Sequence, residues 1–539
     1  AKEPETKKTL LQEAVTNKEK AIELSMKELT FMERKGSGTS LFSAVGRLQY
    51  EYGSILVRLY ELTDNKELLA KAAETYEDAT ESYLKLNLVS RVAETYWKRA
   101  QVYDTLGEHF NASRNFDLAA NNYRSASEKI TQLKDFYNDH ALYMQSWSEI
   151  EKARHHHEKQ EYGLAEEHFE KAAKLHKSLK QWNYMAPNYA AWAQLDHAEE
   201  LSRKEQSEKA IKAFERAAAL FEETRKSLQS KLVKIEDSEE KQMAATMLKT
   251  TDLRHLYCTA RIAVEEAKIL DKKGDHYSSS EKYDSAAETV GRIAQTVESE
   301  RDQKEFDLIA ILSQAWAKMT RAEAEESPSL YIEASLLFEK AKELSPNEKA
   351  KALTLGHSRF CRALEAGMKF ADTGDTTLHS TAIQHLESAA KYYVKAGFQN
   401  ASEYAKATEL LLDAYLHIDN AKRETDPEKK AKLFVMAEKV LQTSAGCFMK
   451  AEHPEKREQV LRLFQKVKEE RELAMSLSEI LHTPSIVSTT KAFTTPTPNQ
   501  ENAVGLERFE NADIQANIIT RKRELKVGEN LDLEIELVN

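Results

Sequence analysis

Apolar positions along most of this chain recur three and four residues apart, the spacing of one face of an α-helix. The pattern runs from about Leu41 to Leu481. Its clearest unit is Ala93–Ala126, AETYWKRAQVYDTLGEHFNASRNFDLAANNYRSA. Two amphipathic helices are predicted there, with Ala100 and Tyr103 on the first and Ala112, Phe116 and Ala119 on the second. The alanines allow the helices to approach closely, and Tyr103 and Phe116 fill the space beside that contact. Gly107 suits the left-handed backbone that ends the first helix.

The second-helix spacing (small residue, three others, bulky apolar residue, two others, Ala) recurs along the chain. It is found at Ala72/Tyr76/Ala79, Ala165/Phe169/Ala172, Ala210/Phe214/Ala217, Ser279/Tyr283/Ala286, Ala334/Phe338/Ala341 and Ala382/Leu386/Ala389, and in weaker form around Phe434 and Ala437. Ala153, Ala198, Ala267 and Ala322 each stand twelve residues before the small residue of the next second helix, as Ala100 does. Gly274 repeats the turn glycine, and Pro346 follows a second helix.

This order of small, aromatic and glycine residues resembles the tetratricopeptide repeat (TPR), a helix–turn–helix unit that buries its apolar face only by stacking. The resemblance implies an all-α, right-handed, TPR-like helical-repeat solenoid. Successive units are 40 to 69 residues apart, the longest step being Ala210 to Ser279, against roughly 34 in a standard repeat. The extra length must lie in longer helices, longer turns or an added helix. Around Lys226–Met247 helices are expected to extend past their neighbours. Long helices also make the array similar to soluble NSF attachment proteins.

Both ends depart from the repeat. Residues 1–40 are predicted to form an N-terminal charged helix, with Leu11, Val15, Ile22, Met26 and Leu29 on one face, and a turn at Lys35–Ser40. That turn, KGSGTS, lacks the order of a phosphate-binding loop and no apolar strand precedes it. The solenoid is assigned to 41–481. Residues 482–505 are rich in Ser, Thr and Pro and have the character of a linker. From 506 to 539 the period changes to two, with Ile514, Ala516 and Ile518, then Leu531, Leu533, Ile535 and Leu537 alternating with polar residues. That is the signature of half-buried strands, with Val527–Asn530 as a turn. So few strands do not make a stable domain; either the domain continues past residue 539 or the strands pair with a partner. The runs His453–Ile486, VGLERFENADIQANII and LKVGENLDLEIELVN resemble uncharacterised archaeal TPR proteins that carry an immunoglobulin-like or CARDB-type β module. The resemblance implies that this sequence holds the start of such a module.

Composition narrows the function. The chain has 539 residues, too many for one compact core, and only Pro187 lies between Pro4 and Pro328, as expected of long helices. A net charge of −11 argues against nucleic acid as a partner. Three scattered cysteines, Cys258, Cys361 and Cys447, make no disulfide framework. The most apolar run, Phe306–Met319, is too short and polar to span a bilayer, and the first residues have no signal-peptide core. These features point to a soluble, cytoplasmic protein with membrane association unlikely.

No catalytic, metal or cofactor site is expected. His155, His156 and His157 point about 100° apart on a helix and do not chelate one ion together; His156 takes the position that Tyr103 holds in its own repeat. Carboxylate runs such as Glu236–Lys241 and Glu323–Ser327 read as solvated faces, and the cysteines as buried thiols. In TPR arrays the first helices line the concave groove. By register that face includes Trp97, Gln101, Trp147, Arg154, Trp192, Arg203, Arg261, Lys268 and Trp316. Aromatic and arginine side chains of this kind make peptide-binding hot spots, although Trp at these positions also serves to pack adjacent repeats. The reading is a non-enzymatic scaffold for protein–protein interaction, binding other proteins or peptide segments and open to self-association. A membrane-trafficking adaptor like the soluble NSF attachment proteins, or a regulatory or self-assembling subunit of a larger complex, is the alternative.

Overall fold

The structure is a computed structural model that describes residues 2–34, 39–236, 238–297, 299–482 and three strands at 506–511, 514–520 and 533–538. The chain divides into two units, Ala1–Ser478 and Glu479–Asn539. The first is an all-α helical-repeat solenoid.

It opens with α1 (Lys2–Arg34) and continues as helix pairs. The first helices of the pairs are α2 (Thr39–Thr63), α4 (Val89–Leu106), α6 (Lys134–Glu158), α8 (Ala186–Arg203), α10 (Ser238–Lys272), α12 (Glu300–Glu325), α14 (Glu348–Thr373) and α16 (Gln399–Arg423). The second helices are α3 (Lys66–Leu84), α5 (His109–Lys129), α7 (Tyr162–Ser178), α9 (Ser207–Leu232), α11 (His276–Thr296), α13 (Pro328–Leu344), α15 (Thr376–Ala396) and α17 (Pro427–Lys450). From α1 to α17 each helix packs against its neighbours in sequence, and α18 (Pro454–His482) joins α16 and α17 through Val460 and Val467.

The small residues of the repeat pattern are where the helices touch. Ala72, Ala112, Ala165, Ala210, Ser279, Ala334 and Ala382 are all 0% exposed, as are Ala100, Ala153, Ala198, Ala267 and Ala322 on the first helices. The Ser279 hydroxyl donates to the Ala267 carbonyl at 2.9 Å, so the two small positions of one pair meet directly. Phe116, Phe169, Phe214 and Phe338 are buried beside these contacts, and Tyr103 is half-buried. One close approach uses glycine instead: a Cβ on Gly53 of α2 would lie 2.9 Å from the Tyr76 ring of α3.

The left-handed turn between paired helices recurs seven residues after the first-helix alanine. Gly107 and Gly274 fill it with φ of 75° and 81°, but Gln160 and Glu205 occupy the same position at 60° and 55°. Polar caps start several helices: Asn65, Asp275, Asn347 and Asp426 each accept a backbone N–H of the following turn.

The lengthening of the repeats lies in the helices themselves. In the longest step α9 has 26 residues and α10 has 35. Their far end does not stand free. Leu228, Ile235 and Ala244 are buried in one cluster with Tyr143, Trp182 and Tyr184, so the extension packs back onto α6 and the segment before α8. On α1, Leu29 is buried while Val15 and Ile22 pack against Tyr52 and Leu56; Met26, expected on this face, is exposed. The predicted turn around Lys35–Ser40 falls largely outside the described residues.

In the second unit β1 (Leu506–Asn511), β2 (Ile514–Thr520) and β3 (Leu533–Val538) pair antiparallel in the order β1-β2-β3. The alternating residues are cross-strand partners, Ala516 with Leu537 and Ile518 with Ile535. The predicted linker after His482 and the turn at Val527–Asn530 lie outside the described residues.

Candidate functional site

Aligning the first helices on Ala100, Ala153, Ala198 and Ala267 brings a set of polar positions into register. Two residues before the alanine stand Lys98, Glu151, Asp196 and Glu265, and the three carboxylates are 0% exposed. A buried carboxylate is tolerated only when hydrogen-bonded or paired. The partners come from the preceding repeat, four and nine residues after its own alanine, and from the residue three positions on in the same helix.

Glu151 of α6 contacts the His109 ring at 2.7 Å, and the Arg154 guanidinium at 2.7 Å donates also to Asp104 of α4 at 2.8 Å. Glu265 of α10 accepts from Ser202, Ser207 and Lys268, each at 2.6 Å. Asp104 and Ser202 occupy the same register position, and so do His109 and Ser207. Between these seams, His157 of α6 meets Asp196 of α8 at 2.6 Å. Glu199, three residues beyond Asp196, accepts two hydrogen bonds from Arg261 of α10, at 3.0 and 2.8 Å, and one from the Tyr257 hydroxyl at 2.8 Å.

Burial opposes charge on His109, yet the hydrogen bond and charge of Glu151 outweigh it and raise the imidazole above its ordinary range. Asp196 does the same for His157, again against burial. Burial pulls Glu265 upward, but the charge and hydrogen bond of Lys268 and the two serine hydroxyls hold it low. The arrangement joins adjacent repeats by charge-assisted hydrogen bonds and fixes which residue faces which across each seam.

Asp104, His109 and Glu151 also have the donor types of a metal site, with ligand atoms within 4.8 Å of one another. Here the Arg154 guanidinium bridges the two carboxylates and takes the acceptors a cation would use. The three consecutive histidines go to separate partners. His155 lies against the Phe110 ring, His156 bonds Glu161 at 2.7 Å, and His157 enters the seam. His156 is half-buried, as Tyr103 is at the matching position of its own repeat, and His157 is the member that reaches the neighbouring repeat, through Asp196.

The nine residues assigned to the groove separate into three groups. Trp147, Trp192 and Trp316 each stack on the aromatic of the preceding second helix: Phe116 at 5.9 Å, Phe169 at 5.6 Å and Tyr283 at 6.4 Å. Trp97 lies edge-on to Tyr143. These tryptophans are half-buried between repeats. Arg154, Arg261 and Lys268 belong to the ion pairs of the seams. Arg203 and Gln101 face solvent, Arg203 bonding Glu200 and the Gln160 carbonyl. Sequence reasoning missed Glu151, Asp196, Glu199 and Glu265. The available signal was an acidic residue two positions before the first-helix alanine in three repeats.

Two other features have chemical potential. Burial pushes the Cys258 thiol up to about 12 and raises those of Cys361 and Cys447, away from the range of a reactive thiolate. A cleft of about 350 Å³ between α15 and α16 is lined by Ala390, Val394 and Ser402, with Glu387, Lys391, Lys406 and Glu409 around them; the buried Ser402 hydroxyl has no hydrogen-bond partner. Among the described residues no helix is long and apolar enough to cross a membrane. In comparison with known proteins, no family model and no curated protein matches this chain.

Proposed function

We propose that the chain is a non-enzymatic scaffold of tetratricopeptide type that presents its first helices to another protein in the cytoplasm. The observation that carries this reading is the uninterrupted series of first helices from α2 to α16, locked in register along α4–α10 by partnered buried charges. A face held this way is pre-organised, so an incoming helix or extended segment binds without ordering it first. Gln101 and Arg203 are the exposed side chains of the predicted groove and the first that such a partner would meet.

Affinity purification from the source cells, followed by mass spectrometry, tests the proposal. A stoichiometric partner is expected, retained by the wild-type chain and lost on Gln101→Glu and Arg203→Glu. Reversing Arg154 or Arg261 is the wrong test, since both hold buried carboxylates. Recovery of the protein alone, or with only copies of itself, contradicts the scaffold reading.

A further inference from the structure

The turn between α17 and α18 touches helices far from it in sequence. Lys456 Nζ lies 3.9 Å from Glu323 of α12. His453 packs its ring 4.6 Å from Tyr404 of α16 and lies within electrostatic reach of Glu205 and Lys272. Those two residues follow α8 and end α10, and they pair with each other at 3.6 Å. Stacking of repeats on nearest neighbours produces no such contacts. They gather the C-terminal ends of α8, α10 and α12 and the start of the last helix around one point.

We infer that this turn is a clasp, which fixes the spacing between the middle and the last repeats and so sets how far the face of first helices opens. The turn is a rigid part. Glu452 adopts a left-handed φ of 61°, the His453 amide bonds the Phe448 carbonyl at 3.0 Å, and Pro454 starts α18. Glu323 is also positioned: the Tyr331 hydroxyl donates to it at 2.5 Å. The link between the two sides is weak by comparison. Its side chains are 38% and 45% exposed, so water and salt compete with the ion pair. A rigid arm held by a soft, screened contact is suited to reversible release. Across the turn, Lys456 faces Glu323, and His453, beside Glu455 and Lys456, stands within electrostatic reach of Glu205 and Lys272.

The test uses the full chain carrying Cys447→Ser, with spin labels at Lys273→Cys and Glu458→Cys, both exposed positions; Cys258 and Cys361 are buried. At low salt a single narrow distance distribution is expected. Glu323→Lys, Lys456→Glu, or about 1 M salt should each shift it to longer and broader distances. The double reversal Glu323→Lys/Lys456→Glu should restore the narrow distribution with unchanged helicity. A distribution that ignores the single reversals and salt, or a double reversal that fails to restore it, overturns the clasp. Because the measurement needs no partner, its failure leaves the scaffold reading untouched.

Discussion

The seams from α4 to α10 and those from α12 to α17 stack the same kind of helix pair with different chemistry. Among the described residues every buried carboxylate (Glu151, Asp196, Glu199 and Glu265) lies on α6, α8 or α10. From α12 onward the buried polar residues are Ser313, Thr320, Ser335, Ser345, Thr354, Ser358, His379, Ser402 and Ser444. Thr320 holds the position of Glu151 relative to its alanine, but its hydroxyl only donates to carbonyls of its own helix, those of Trp316 and Ala317. Small residues and an aromatic are therefore enough to stack repeats. The charges add something else, a set of matched partners that distinguishes one seam from the next. Buried ion pairs give little net stability over apolar packing, yet leaving one member unpaired is severe.

The largest contrast should come from breaking a charged seam. Arg154→Met leaves the buried Glu151 with His109 alone and takes the charged partner of Asp104, and denaturant unfolding should show a loss of about 3 kcal/mol. Thr320→Val at the matching place in the later seam should change stability by less than about 1 kcal/mol. Phe169→Ala and Phe338→Ala should instead be equally damaging, about 3–5 kcal/mol each, because both regions depend on that aromatic. Unequal values would show that the seams also differ in packing.

Acid tests single histidines rather than whole regions, since the middle repeats also hold a buried, depressed histidine, His176 of α7. His357 of α14 is packed among Trp316, Phe338 and Tyr393, and burial depresses it to about 4. Its neutral form stabilises the fold above the unfolded value of about 6.5, and that contribution falls by about 2 kcal/mol between pH 6.5 and 5. His357→Leu should flatten this loss in the pH dependence of the unfolding midpoint. His157 is raised, so its contribution is present below about pH 6.5 and fades as pH rises through its folded value. His157→Gln should therefore destabilise more at mildly acid than at alkaline pH. The smallest effect is a gain. Gln160→Gly should relieve the left-handed backbone and raise stability by about 0.5–1 kcal/mol.

Much of the fold was legible in sequence because the contacts that build it are local and periodic. Ala267 and Ser279 meet within one pair, and the same twelve-residue offset marks further pairs. The long step from Ala210 to Ser279 revealed α9 and α10, but not where their end would pack, since Trp182 and Tyr184 belong to an irregular segment. The charged seams were harder to see. On a helix Glu151 looks like any solvated glutamate until His109, in the preceding repeat, is placed opposite it. The tryptophans had two readings, groove and packing, and the packing contact becomes visible only in the rings they stack against. Gln160 in a left-handed turn carries no residue-type signal at all. Lys456 near Glu323 depends on how the whole series of repeats curves, which no single repeat encodes.

The central claim, that the middle repeats are held in register by matched buried charges, is tested most directly by a double-mutant cycle on Glu199 and Arg261. Glu199→Leu and Arg261→Met should each cost about 3–5 kcal/mol, while the double variant should lie within about 1–2 kcal/mol of wild type. Additive losses in the double variant would mean that the two side chains act independently, and would contradict the account.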